Sequence, residues 1–432
     1  MGSILERRVK GCVSLRGEIA PPGDKSISHR AVILNSIAWG RARIENFAPG
    51  ADLGATVSCL KNLGVGIIEE GGVLTIAGVG QEGFEEPPDV LNAGNSATTM
   101  RLLAGLLAAQ PFLSIVTGDE SLRSRPMSRL IHPLRLMGAE IWGRGDSLAP
   151  LVIRGNRLKG IDYRLPIASA QIKSAILIAG LFAQGTTTVE EPAPSRDHTE
   201  RLLSAMGAKL ERDGPRIALT PYTSLSPVDV QVPGDISSAA FWLIAGAIHP
   251  NAHIKIMNTG INPTRSGIID VLLQMGARLR VERERVVSGE PVADLEVESS
   301  DLVGTEIGGS LIPRLIDEIP LIALAGAFAR GTTIIRDAQE LRVKESDRIG
   351  ATVKELSTLG ADIEGLPDGM VIRGGSKLQG GDCSSHMDHR LAMTLGIAAL
   401  VAEEETVIHD AQVVEMSYPN FWQDLERITH RI

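Results

Sequence analysis

The chain has 432 residues, 43% hydrophobic and 22% charged, which suits two or three globular domains with their own cores. Lys plus Arg number 43 against 52 Asp plus Glu, a net charge of −9 that argues against nucleic-acid partners but leaves room for a local cationic pocket. Three cysteines, Cys12, Cys59 and Cys383, stand at no metal-ligand spacing and exclude a disulfide framework, so neither a metal nor a cofactor is expected. No apolar run reaches the roughly 18 residues of a membrane span, and the first residues show no apolar leader. No membrane partner is expected, and the location read from this is cytoplasmic.

In chain order, one unit returns six times. A polar turn opens an Ala/Leu-rich helix at GDKSISHRAVIL from Gly23, GNSATTMRLLAGLLA from Gly94 and SAQIKSAILIAGLFA from Ser169. It returns at GDISSAAFWLIAGAI from Gly234, DEIPLIALAGAFA from Asp317 and DHRLAMTLGIAAL from Asp388, a spacing of about 70 residues. A second phrase closes a helix at Leu63-Gly64, Met137-Gly138, Met206-Gly207, Met275-Gly276 and Leu359-Gly360. Short Val/Ile-rich strands lie between, near Gly185, Gly331 and Glu405. The opening helices are apolar nearly all round, which predicts helices buried inside and sheets wrapped around them, an α/β fold grouped three plus three.

The twin turns Pro22-Gly23-Asp24 and Pro233-Gly234-Asp235 read as two crossovers of the chain. They predict a continuous domain, residues 23–234, and a discontinuous one, residues 1–22 plus 235–432, with a hinge near 22–24 and 233–235. A cleft between such domains is the default place for a substrate.

The repeat turns also carry charge. Lys25, Ser26 and Arg30 begin the first helix, and Asn95, Ala97 and Arg101 the second. Arg123 and Arg125 lie in a loop before Pro126, Ser169 and Gln171 open the third helix, and Ser195, Arg196 and His198 follow. Further along come Asp317-Glu318, the run Lys344-Glu345-Ser346-Asp347-Arg348, and Asp388-His389-Arg390. Each turn by itself fits a capped helix with solvated charges. Together they fit recognition of phosphate or carboxylate groups by Lys, fork-like Arg, hydroxyls and helix starts. No GxxxxGK[ST] and no GxGxxG is present, so the residues indicate an enzyme or binder of small polyanions without a nucleotide loop.

The motifs PGDKSISHR, GNSATTMR, RPM, SAQIKS, PGDISSAAF, LRVKESDRI and DHRLAM, in that order, resemble the EPSP synthase (3-phosphoshikimate 1-carboxyvinyltransferase) family over essentially the whole chain. The resemblance implies a two-domain inside-out α/β barrel of six βαβαββ units. It implies transfer of the enolpyruvyl group of phosphoenolpyruvate to the 5-hydroxyl of shikimate 3-phosphate. Carried over motif by motif, Lys25, Ser26, Arg30, Ser169, Gln171, Ser195, Arg196, Asp317 and Lys344 would hold shikimate 3-phosphate. Lys25, Asn95, Ala97, Arg125, Gln171, Arg348 and Arg390 would hold phosphoenolpyruvate. Asp317 and Glu345 would move protons, with Lys25 sharing either role.

Some positions depart from the best-known members. Ala97 stands where many have Gly and Ala170 where many have Ser. Arg196, His198, Glu340 and Met416 also differ from those members, and Ser-Ala-Gln with Ser-Arg-Asp-His-Thr looks like the second, glyphosate-tolerant class. Weak inhibition by glyphosate and a monomeric enzyme are expected. The related UDP-N-acetylglucosamine enolpyruvyl transferases typically carry a Cys in a mobile loop; here the corresponding residues, 120–128, have none. A non-catalytic polyanion binder is the remaining alternative.

Overall fold

Five of the six apolar helices begin where a short polar side chain takes over an orphan backbone N–H. The computed structural model describes residues 6–221 and 224–430, so residues 1–5 of the expected 1–22 segment lie outside the described residues. Asp24 accepts from the Ile27 amide (2.9 Å) to start helix Lys25–Ile37, and Ser96 accepts from Thr99 (3.2 Å) to start Ala97–Leu107. Ser169 caps Ala170–Gly180, Asp235 caps Ile236–Ile248, and Asp388 caps His389–Ala399. The remaining buried helix, Ile319–Phe328, instead follows a 3₁₀ turn, Ile316–Glu318, with Pro320 in its first turn.

The Leu-Gly and Met-Gly phrases close a second set of helices. Gly64, Gly138, Gly207, Gly276 and Gly360 have φ between 85 and 103°, where a side chain is strained. The amide that follows each glycine donates to a carbonyl five residues back, as Ala139 does to Leu134 (3.0 Å) and Ala361 to Leu356 (2.9 Å). The helices so ended are Ala51–Asn62, Ser128–Leu136, His198–Ala205, Gly267–Gln274 and Arg348–Thr358. Unlike the first set, they bury one face only, so five of the six repeats pair a central helix with a peripheral helix of this kind.

The chain divides into two compact units. Unit 1 holds the residues up to Pro22 with Pro233–Val286 and Pro291–Ile432; unit 2 holds Gly23–Val232 with Val287–Glu290. Among the described residues, unit 2 has three four-stranded sheets. In one of them Leu91–Asn92 pairs parallel with Leu113–Thr117, which pairs antiparallel with Leu148–Arg154 and so on to Glu140–Arg144. Helices Ala97–Leu107 and Ser128–Leu136 join these strands, giving, apart from the short helix Glu120–Ser124, the order strand, helix, strand, helix, strand, strand. The sheet from Asp162 to Leu219 repeats that plan, and so does the unit 1 sheet that begins at Glu306. In unit 1 strand Ser14–Ile19 pairs with Ala252–Gly260 and with Thr429–His430, and Glu6–Val9 pairs with Thr406–His409.

The central helices of each unit form its core. In unit 2, Gly105 lies so close to helix Ala170–Gly180 that an added Cβ would sit 2.3 Å from the Ala175 carbonyl oxygen. In unit 1 every residue of Ile236–Ile248 is buried. Helices inside and sheets outside are the α/β arrangement expected from the apolar repeats. The geometry also turns the polar first turns of the buried helices toward one another within a unit.

Candidate active site

In unit 2 the helix starts are tied together by their own polar side chains. Lys25 pairs with Asp52 of the neighbouring peripheral helix. The Arg30 guanidinium is buried and donates to Thr199 Oγ1 (2.7 Å), the Ser26 carbonyl (2.9 Å) and Ser174 Oγ (2.8 Å). It therefore joins three helices through neutral acceptors. Arg125 donates to Asn95 Oδ1 (2.7 Å) and Ser121 Oγ (3.2 Å), while Asn95 donates to Asp119 (2.7 Å). Gln171 accepts from Arg101 and donates to Thr98 Oγ1 (2.8 Å), which links the third helix start to the second. Ala97 is buried in the first helical turn behind the Ser96 cap. Ser169 spends its hydroxyl oxygen on its own cap, and Ser195 donates to Glu191 with the half-buried Arg196 next to it.

A buried polar chain backs these turns. His29 Nδ1 and Thr56 Oγ1 share a hydrogen bond (2.7 Å), Thr56 and Thr99 share another (2.6 Å), and Thr99 donates to Ser96 (2.8 Å). Burial first, and then the Lys25 charge, push the His29 imidazole down to about 3, so it stays neutral.

In unit 1 the charges meet differently. Arg348 opens helix Arg348–Thr358, and its guanidinium is 2% exposed. It donates through Nε to Asp388 (2.7 Å), through one terminal nitrogen to Asp317 (3.2 Å) and through the other to Glu345 (2.7 Å). Lys344 lies 4.0 Å from Asp317, and Arg390 approaches Asp317 at 3.8 Å and Glu318 at 4.0 Å. Asp317 and Glu345, expected to move protons, therefore share one cluster with Lys344, Arg348 and Arg390. Burial pushes the Asp388 carboxyl up, but the Arg348 charge and then His389 outweigh it and hold it below the ordinary carboxylate value. Burial raises Glu318, which accepts a hydrogen bond from Ser237. Arg348 stays charged, since its three carboxylate neighbours outweigh the penalty of burial.

Among the described residues one group has the composition of a metal site: His253, Glu296 and Glu298 bring ligand atoms within 4.8 Å of one another. Arg280 lies 3.6 Å from Glu296 and 3.9 Å from Glu298 and already supplies positive charge there. It lies on the strands Ala252–Gly260 and Glu290–Glu298, and none of its members was among the expected site residues.

The family described as EPSP synthase (3-phosphoshikimate 1-carboxyvinyltransferase) matches residues 9–425. The chain belongs to the EPSP synthase family. It is 56% identical over 409 residues to a 3-phosphoshikimate 1-carboxyvinyltransferase of Desulforudis audaxviator, covering 94% of this chain and 95% of that one. The structure of EPSP synthase from Acinetobacter baumannii superposes with a TM-score of 0.89 at 43% identity, covering 99% of this chain and 98% of that one. The enolpyruvyl transferase NikO from Streptomyces tendae shares the fold, with a TM-score of 0.80 at 21% identity over 98% of this chain and 96% of that one.

Set in this family, the residues that sequence reasoning did not single out are mostly partners. Asp388 reads from the sequence only as a helix start, yet it accepts from Arg348 Nε at 2.7 Å. Asp52, Thr98, Ser174 and Thr199 have no individual signal, because each meets its partner across helices and not along the chain. His198 shares a hydrogen bond with Glu290 (2.8 Å), both buried, which accounts for an imidazole at that position without chemistry. Met416 ends a 3₁₀ turn, Ala411–Met416, just ahead of the buried Tyr418.

Proposed function

We propose that the protein transfers the enolpyruvyl group of phosphoenolpyruvate to the 5-hydroxyl of shikimate 3-phosphate and releases phosphate. This is the shikimate-pathway step of the family. The observation that carries the reading is the unit 1 cluster, where one buried arginine holds Asp317, Glu345 and Asp388 in a chain that matches the family almost end to end.

The chemistry asks for two proton transfers and a place for several negative charges. In the addition step the 5-oxygen bonds to C2 of phosphoenolpyruvate, the hydroxyl loses its proton and the methylene gains one. In the elimination step the new methyl loses a proton and the C–O bond to phosphate breaks. Asp317 takes the hydroxyl proton and Glu345 serves the methylene, with Lys25 and Lys344 beside the developing charges. Lys25, Ser26, Arg30, Ser169, Gln171, Ser195, Arg196, Asp317 and Lys344 hold shikimate 3-phosphate. Lys25, Asn95, Ala97, Arg125, Gln171, Arg348 and Arg390 hold phosphoenolpyruvate. Arg348 thereby has two duties, because the cation that serves the substrate also orients both proton-moving carboxylates. No cofactor takes part in this scheme.

Several finer features belong to the same proposal. Residues 23–234 act as one domain and 1–22 with 235–432 as the other, with the crossovers near 22–24 and 233–235 serving as a hinge for closure. The enzyme is a cytoplasmic monomer of the second, glyphosate-tolerant class; the support is Ala97 in the first turn of its helix and the Ser-Ala-Gln and Ser-Arg-Asp-His-Thr segments. The deciding experiment is phosphate release from phosphoenolpyruvate with shikimate 3-phosphate, with UDP-N-acetylglucosamine, and with no acceptor. Release with shikimate 3-phosphate alone is expected. Release only with the nucleotide sugar, or binding without release, overturns the reading.

A further inference from the structure

Lys173 is the cation of the SAQIKS segment, and the scheme above gives it no task. Its side chain is wholly inaccessible, inside the core of unit 2. A lysine so placed needs partners that offset the loss of hydration. It has two carboxylates, Glu191 at 2.9 Å and Glu200 at 2.7 Å, and it donates to the Ser195 carbonyl at 3.3 Å. Glu191 in turn accepts the hydroxyl of Ser195 with its other oxygen. One ammonium group therefore holds the loop between strand Thr187–Glu190 and helix His198–Ala205 at both its backbone and its side chains.

We propose that Lys173, through Glu191 and the Ser195 carbonyl, is the positioning residue that sets the loop Glu191–Asp197 for the phosphate of the acceptor substrate. This rests on the reading that Ser195 and Arg196 hold shikimate 3-phosphate. A phosphate oxygen can only accept hydrogen bonds, and so can a carboxylate. Glu191 and a bound phosphate thus compete for the single proton of Ser195. The ammonium beside Glu191 makes it a weaker acceptor, so the hydroxyl is available to turn toward phosphate when substrate arrives. The bond from Lys173 to the Ser195 carbonyl fixes the backbone from which Arg196 extends. Without Lys173, Glu191 would keep the proton and the loop would lose its anchor.

The test uses Lys173→Met, Glu191→Ala and Glu191→Gln in the full chain. Lys173→Met is expected to raise KM for shikimate 3-phosphate about tenfold or more, with kcat and KM for phosphoenolpyruvate changed less than about threefold. With unphosphorylated shikimate as the acceptor, the same variant should match the wild type within about threefold, because the group that the loop serves is missing. Glu191→Ala should repeat the selective loss, and Glu191→Gln, which keeps an acceptor for Ser195, should recover most of it. A folded Lys173→Met enzyme with unchanged KM for shikimate 3-phosphate, or one that loses shikimate equally, overturns the proposal. If Lys173→Met does not fold, the Glu191→Ala and Glu191→Gln pair decides by the same constants. If the wild type releases no phosphate with both substrates, the functional reading fails; amide exchange then tests the tether by itself. Faster exchange confined to residues 191–197 in Glu191→Ala supports it, and unchanged exchange overturns it.

Discussion

In unit 2 the Arg30 guanidinium ends on two hydroxyls and a carbonyl, and that of Arg125 on an amide oxygen and a hydroxyl. In unit 1 the Arg348 guanidinium ends on three carboxylates. Neutral acceptors orient a cation without cancelling its charge. Carboxylates cancel the charge, and the arginine becomes a device for holding acids in place. On the proposed mechanism the same side chain binds anions in one region and arranges proton carriers in the other.

The comparison is broken most directly at Asp317. Asp317→Ala is expected to lower kcat by ~10² to 10⁴ while leaving shikimate 3-phosphate binding close to wild type. Steady-state rates with calorimetric titration of the substrate check it; more than half of the wild-type kcat would remove the carboxylate from the mechanism. Next comes Arg348→Met, which strands the buried Asp388 and should cost ~3–5 kcal/mol in urea unfolding. Arg30→Met breaks bonds to the Thr199 and Ser174 hydroxyls and the Ser26 carbonyl and should cost less, ~1–3 kcal/mol. Equal costs would erase the distinction between the two regions.

His29 of unit 2 and Glu318 of unit 1 should also differ in the sign of their pH dependence. The folded state holds His29 down to about 3, below its usual value of 6.5, so its contribution is present at neutral pH. It is lost as pH falls from about 6.5 toward about 3, by up to ~1.4 kcal/mol per pH unit. His29→Gln should flatten that slope in denaturation curves taken between those limits. Glu318 is raised in the folded state, so its contribution is present at low pH and is lost as pH rises through its raised value. Glu318→Gln should flatten the opposite limb. The smallest effect is at Ala97: on the proposed class, Ala97→Gly should lower the glyphosate inhibition constant about tenfold, ~1.4 kcal/mol, at matched phosphoenolpyruvate saturation. An unchanged constant would leave the methyl as a helix former only.

What could be read from the sequence is what neighbours along the chain decide. Asp24, Ser96, Asp235 and Asp388 cap helices through amides two or three residues away, and Gly64 or Gly138 ends a helix because its own φ is positive. Such events repeat with the sequence, so the six-fold repeat and the burial of its apolar helices were visible before any coordinates. The residue types of the candidate site were visible for the same reason, since each lies on a motif. What only the tertiary structure decided is which of them meet. Asp317 and Asp388 stand 31 and 40 residues from Arg348, and Glu191 stands 18 from Lys173, so no spacing along the chain marks them as partners. The sheets and central helices bring them within hydrogen-bond reach, and burial makes each pairing matter, because a charge removed from water must find its partner in space.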